Sequence, residues 1–354
     1  MGDTEGMFDW EDEALQDESL DLQGKEQRHA GPLVALADTL EKLSRLKVLD
    51  LSSCALVGLA GHRYRGLISL GNAFAGRSNR LTHLRLSENS LHSEAALIVG
   101  GWLPSLSKLR YLDLSGRAGF DPLCGGFRTL LHLRTLVLRD IGADDGEAES
   151  VAAFVSSSAR VESLDLSHNQ IHVRGARRLT EAVRCNGSLV SLLLGRNLIG
   201  DEGAGLLATA VPHAPSLTEL DVSSNGLTVG IKEPFIQAAL ASLKIETFGL
   251  SGNDISPSDV EDIQEHASAN VELRAVADAP ESYDLWKASS IVEACLVAKL
   301  DFLPEGVARA LKENASFVGE EGPMRQAVLA ACPLTKAELL KTNPGALGVV
   351  VKVR

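Results

Sequence analysis

Aromatic residues make up only 4% of this 354-residue chain. Its cores must therefore be built from Leu, Val, Ile and Ala, within an apolar share of 45%. Basic charge is also short, 34 Lys and Arg against 47 Asp and Glu, for a formal net charge of −13. Sequence-independent binding to nucleic acid needs clustered cations that displace counterions, so no nucleic-acid partner is expected. No apolar run approaches the ~20 residues of a membrane span, and no membrane insertion is expected. Five cysteines, at 54, 124, 185, 295 and 332, form no C-x-x-C pair and read as free thiols in a reducing compartment. The opening MGDTEGMFDWEDEALQDESLDL lacks the basic start and apolar stretch of a secretory signal. Gly6 stands where myristoylation wants Ser or Thr. The expected location is cytoplasmic, with the cilium or the nucleus as alternatives.

Catalytic signatures are missing too. The chain has no H-E-x-x-H, no P-loop, no G-x-S-x-G and no G-x-G-x-x-G after a strand, so neither an enzyme nor a cofactor or metal site is expected. Gly200-Asp201-Glu202-Gly203-Ala204-Gly205 is glycine-rich but reads as a loop leading into a helix. His168, Asp165 and Ser167 fan out along one strand and do not converge as a triad would.

What the chain does have is a repeat. The template L-x-x-L-x-L-x-x-N/C-x-L fits Leu46, Leu49, Leu51, Cys54 and Leu56 at every position. It returns at Leu81-Leu84-Leu86-Asn89-Leu91, loosely from Leu109 and from Leu133, and then regularly from Val161, Leu189, Leu217 and Ile245. Successive starts lie 35, 28, 24, 28, 28, 28 and 28 residues apart, and Leu273 could open a truncated ninth strand. The leucines of L-x-L point inward, and Asn or Cys sits where the backbone turns away and satisfies its peptide groups. Between strands, Val173, Ala176, Leu179 and Val183 keep helical period, as do Ile231, Phe235, Ile236 and Leu240. One strand and one helix per 28 residues predict a curved α/β solenoid with parallel strands on its concave face and helices on its convex face. Eight such repeats resemble the ribonuclease-inhibitor-like subfamily of leucine-rich repeat proteins over about residues 46–276. That resemblance implies protein binding by a scaffold; one member class, activators of the Ran GTPase, suggests the alternative of a small-GTPase regulator.

The flanks differ from the repeats. Residues 1–26 hold ten acids and one base, so they carry −9 of the −13 and leave −4 for the other 328 residues. Residues 1–30 thus read as an acidic arm, disordered or ordered by a partner. Phe8 and Trp10 would be its anchors on a basic partner surface, with a solubilising tail as the other reading. Residues 31–45 read as an N-terminal helical cap, 46–278 as the solenoid, and 279–354 as a mainly helical cap or interaction module.

Binding residues are sought where the repeat exposes them or departs from regularity. The x of each L-x-L gives Asp50, Arg85, Asp113, Val137, Asp165, Leu193, Asp221 and Gly249, with acids never on adjacent repeats. Asp113, Asp165 and Asp221 could form a stripe for a basic partner, or simply reflect the common spelling L-D-L-S. The next two rows, beginning at Ser52 and Ser53, hold no aromatic. Irregular loops carry Arg63, Tyr64 and Arg65 after the first strand, and Asp144, Asp145 and Glu147 after the fourth. Irregular loops on a regular scaffold are where recognition is usually placed, so these join the candidate set.

Overall fold

The computed structural model describes residues 18–278, apart from 26–29, 41, 44, 58–63, 76–79, 118, 120 and 243. Within them, strands and helices alternate: β1 (Ser19–Asp21), α1 (Ala30–Leu40), β2 (Val48–Asp50), α2 (Arg65–Ala75), β3 (His83–Arg85), α3 (Ser93–Trp102). There follow β4 (Tyr111–Asp113), α4 (Asp121–Phe127), β5 (Thr135–Val137), α5 (Asp145–Ser157), β6 (Ser163–Asp165) and α6 (Val173–Cys185). The series ends with β7 (Ser191–Leu193), α7 (Gly200–Ala210), β8 (Glu219–Asp221), α8 (Lys232–Ala241), β9 (Thr247–Gly249) and α9 (Pro257–Asp278). The strands form one parallel sheet in the order β1 to β9. Parallel neighbours joined by a helix each time are the α/β solenoid that the repeat predicts.

Register follows the leucines. Leu49, Leu84, Leu112, Leu136, Leu164, Leu192 and Leu220 stand opposite one another from β2 to β8 and are 0–1% exposed. A one-residue slip would turn this whole column outward, which pins the pairing. Each such side chain contributes roughly 1.5–3 kcal/mol by burial. On the opposite layer, Ala176, Leu179 and Val183 bury the inner stripe of α6. Its outer arginines pair with glutamates of neighbouring helices, Arg178 with Glu149 and Arg177 with Glu202, both at 3.2 Å.

The Asn/Cys position ties each repeat to the one before it. Asn197 donates Nδ2–H to the carbonyls of Leu166 and Leu194, both at 2.9 Å, and its Oδ1 accepts the Ile171 N–H at 3.0 Å. Asn89, Asn169, Asn225 and Asn253 repeat the arrangement. Cys54 takes the same place with its thiol, which donates to the Leu22 carbonyl at 2.9 Å. Burial pushes that thiol up to about 11, so it is a structural donor rather than a nucleophile at neutral pH.

Three features differ from expectation. First, part of the segment read as an acidic arm is structural: Leu20 pairs with Leu49, and Leu20 and Leu22 are buried, so β1 opens the sheet one repeat earlier. The helix at Ala30–Leu40 therefore follows a strand, as every other helix of the solenoid does, instead of capping the end. Second, no strand begins at Leu273, because the residues from Pro257 to Asp278 form a single helix. The template fails there at its third apolar position, which is Asp278. Third, Gly200 to Gly205 lie within α7 and not before it. A Cβ on Gly203 would come within 2.9 Å of Ile199 and 3.1 Å of Ala176, so this glycine serves close helix packing.

The chain forms two compact units, Met1–Ile231 with Gly249–Ile255, and Lys232–Phe248 with Ser256–Arg354. In the second, Lys232 Nζ donates to Asp259 and Asp262 at 2.5 and 2.6 Å, Phe235 meets Phe248 edge-on at 4.8 Å, and Asn270 bonds the carbonyls of Ala239 and Ile245. The acidic-arm residues before 18 and the expected module at 279–354 lie outside the described residues.

Candidate functional site

The acids of the sheet floor have a local reason to be there. Asp113, Asp165 and Asp221 each accept, through Oδ1, the backbone N–H two residues on, at 2.8–2.9 Å. Asp21 and Asp50 do the same with Gln23 and Ser52. A carboxylate at this point closes the strand end as an Asx turn does. Only the second oxygen is left over for a partner at Asp113, Asp165 and Asp221. The acids also stand on adjacent repeats at one place, since β1 sets Asp21 beside Asp50. There Arg85 offsets the repulsion, its Nη1 lying 3.5 Å from Asp50 Oδ2.

A second group on the floor was missed from sequence. His83 and Tyr111, on neighbouring strands, stack with centroids 5.8 Å apart and ring planes 22° from parallel. The Arg85 guanidinium lies over the Tyr111 ring at 5.0 Å. All three are half-buried. Burial, followed by the charges of Arg85 and Arg110, pushes the His83 imidazole below its ordinary value, so the ring is neutral at pH 7. Burial, with the Asp113 charge, pushes the Tyr111 phenol up. The result is a rigid, amphipathic platform of the residue types that dominate protein interfaces. Its signal was available in the row one residue before each L-x-L: Val48, His83, Tyr111, Thr135, Ser163, Ser191, Glu219 and Thr247. The three rows read from sequence start two residues too late to meet it.

The edge where strands turn away holds a cationic group. Ser53, Glu88, Gly116, Asp140, His168, Arg196, Ser224 and Gly252 all have φ between 50° and 89°. Each of the first seven donates its backbone N–H to a carbonyl of the next repeat, as His168 does to Gly195 at 2.8 Å. The side chains of this row are thus carried on a left-handed backbone fixed by its own ladder. Arg139, one position earlier on its repeat, donates Nη2–H to His168 Nε2 at 2.9 Å. Burial, then the Arg139 and Arg196 charges, hold the His168 imidazole below its usual value, which suits an acceptor nitrogen.

The loop candidates fare differently. Asp144 caps α5 by accepting the Gly146 N–H at 2.6 Å, and Glu147 reaches back to the Asp144 N–H at 2.9 Å, a capping box. Contact between the two carboxyls pushes Glu147 up, while that bond and the Gly146 N–H hold Asp144 down. Asp145 caps the following helix, accepting the N–H groups of His172 and Gly175 at 2.8 Å. These acids thus have helix-capping work beside any role in recognition. Tyr64 is half-buried and Arg65 opens α2 on the exposed side. Arg63, Phe8 and Trp10 lie outside the described residues. Among the described residues, no group of three or more His, Cys, Asp or Glu could hold a metal ion, and no helix is long and apolar enough to cross a membrane.

Comparison with known proteins agrees with this anatomy. Residues 160–179 and 213–230 match the family model described as Leucine Rich repeat. With nine parallel strands among the described residues, buried leucine columns and an asparagine ladder, the chain is a leucine-rich repeat protein. Mouse ribonuclease inhibitor is 31% identical over 191 residues, 52% of this chain and 42% of that protein. Pig ribonuclease inhibitor is 26% identical over 242 residues, 66% of this chain and 51% of that one. Within leucine-rich repeat proteins, the chain is thus similar to ribonuclease inhibitors. RAN GTPase-activating protein 2 of Arabidopsis thaliana is 25% identical over 136 residues, 38% of this chain and 25% of that protein. The chain spans about half or less of the length of each of these relatives.

Proposed function

We propose that this protein is a non-catalytic interaction scaffold, a subunit of a larger intracellular assembly, that takes a protein partner on its sheet floor. The observation that carries this reading is the platform of His83, Arg85 and Tyr111. An aromatic stack with a guanidinium over it is already rigid, so little side-chain freedom is lost when a partner covers it. The free oxygens of Asp113, Asp165 and Asp221 add a place for basic side chains of that partner. Arg63, Tyr64 and Arg65, the acidic loop of Asp144, Asp145 and Glu147, and the anchors Phe8 and Trp10 supply peripheral contacts. Substituting Arg85→Ala with Tyr111→Ala in the full chain tests the reading. Capture of bound proteins from extracts of the source cells should drop at least tenfold while thermal unfolding moves little. Unchanged capture by a folded double variant refutes it.

The likeness to RAN GTPase-activating protein 2 favours a second reading, regulation of a small GTPase. Single-turnover GTP hydrolysis by candidate GTPases, with and without the chain, decides it; no acceleration removes it.

A further inference from the structure

Some arginines of the solenoid are ion-paired and others are not. Arg134, Arg174, Arg177 and Arg178 each lie in an ion pair with a glutamate. Arg139 and Arg196 make no ion pair among the described residues; the carboxylates of Asp140 and Asp165 act on His168 by their charge, with no bond to either arginine. Arg139 is instead held by a ring nitrogen of His168, which fixes one edge of its guanidinium and leaves its other N–H groups to be matched. Both arginines are exposed, on repeats separated by one strand. His168 and Arg196 occupy left-handed backbone at φ 62° and 57°, where Gly116 and Gly252 stand on other repeats. Large polar side chains at a position that suits glycine better point to a use beyond folding.

We propose that Arg139, His168 and Arg196 form a carboxylate-binding corner for an acidic segment of the protein partner. This rests on the reading of the floor as a protein-binding surface and names the chemistry of what lies at its edge. Two guanidinium groups outside any ion pair, two strand spacings or ~10 Å apart, match a segment with acids on successive exposed turns or alternate extended positions. The same segment cannot be acidic throughout. Asp165 and Asp221 sit three residues back along the strands, ~10 Å from the corner, and would repel a second row of carboxylates. The partner segment therefore bears acids toward the turn edge and neutral or basic residues toward the strand centre.

The full chain carrying Arg139→Lys and Arg196→Lys keeps both charges and gains two amines that a carbodiimide can join to a carboxylate without a spacer. Complexes captured from extracts of the source cells are coupled and mapped by peptide mass spectrometry. Positions 139 and 196 are expected to be joined to Asp or Glu of another polypeptide. Coupling only to acids within residues 1–26 of this chain would make its own arm the occupant and overturn the proposal, and so would no coupling at either position. Charge reversal, Arg139→Glu with Arg196→Glu, should lower capture at least tenfold with thermal unfolding unchanged. If that variant captures normally while Arg85→Ala with Tyr111→Ala does not, the floor reading stands and the corner falls. If neither pair of substitutions alters capture, both fall.

Discussion

The asparagine ladder predicts an inequality between two substitutions that look identical in sequence. Asn197→Leu removes an amide in the middle of a run. The Leu166 carbonyl still receives Asn169 Nδ2, and the Leu194 carbonyl still receives Asn225 Nδ2. Only the Ile171 N–H is left without a partner. One orphaned buried donor at ~1–3 kcal/mol, plus two weakened carbonyls, gives a loss of about 3 kcal/mol. Asn89 has no such neighbour, because Cys54 precedes it and Arg117 stands at the following asparagine position. Asn89→Leu strips the Leu51 and Leu86 carbonyls and the Cys54 and Leu56 N–H groups at once. Four orphans at the same rate give about 4–12 kcal/mol, about 8 at mid-range and several kcal/mol more than Asn197→Leu. Urea unfolding followed by circular dichroism reads the totals. Because a repeat array need not unfold in one step, amide exchange at Cys54, Leu56 and Ile171 reads each defect locally. Equal losses, or a larger loss at Asn197, would refute the idea that shared acceptors spread the damage.

Leu192→Asp should prevent stable folding of the central repeats, since it sets an unpaired carboxylate in a side-chain site that is 0% exposed; a cooperative unfolding transition like that of the unaltered chain would count against the register described. Asp145→Ala should cost about 1–2 kcal/mol by uncapping α6, with amide protection falling at His172 and Gly175 and not at Gly146. Cys54 should resist a disulfide reagent at pH 8 while exposed Cys185 reacts, as residue-level mass spectrometry will show. Its thiol loses a proton near 9.0 when unfolded and near 11 when folded, so its stabilising contribution is complete below pH 9 and fades as pH rises through 11. A stability curve flat from pH 9 to 11 in the unaltered chain, matching that of Cys54→Ser, would contradict this.

The repeat was legible because one burial column generates it. Leu164, Leu192 and Leu220 announce their partners at a constant interval, and no other arrangement hides all three. β1 was hidden by its setting. Leu20-Asp21-Leu22 is a valid L-x-L, but it lies in a run whose charge reads as a tail, and one pair of buried leucines is enough to anchor it once β2 is present. The floor was legible in direction and not in purpose. Side-chain alternation tells that Asp165 faces the same way as Asp221, whereas the bond to the residue two ahead depends on the dihedral angles of the strand end. Asp145 misled in a similar way: its two partners lie on the next repeat, and nothing in a loop of acids reveals a cap provided at that distance. Tyr111 and His83 required no structure at all, only a row that begins two residues earlier.

The left-handed turn row has a consequence for how such a protein can change. Its conformation is set by backbone bonds to the next repeat, and it already accommodates Ser, Glu, Gly, Asp, His and Arg without altering the path of the chain. Each non-glycine occupant costs about 1–2 kcal/mol, much the same for one side chain as for another. Exchange of one non-glycine side chain for another there is nearly neutral for the fold and decisive for the surface. Setting aside Gly116 and Gly252, where a Cβ would crowd Glu88 and Ser224, the described solenoid thus carries six mutable addresses on an invariant frame, and a lineage could exchange one partner for another by editing that row alone.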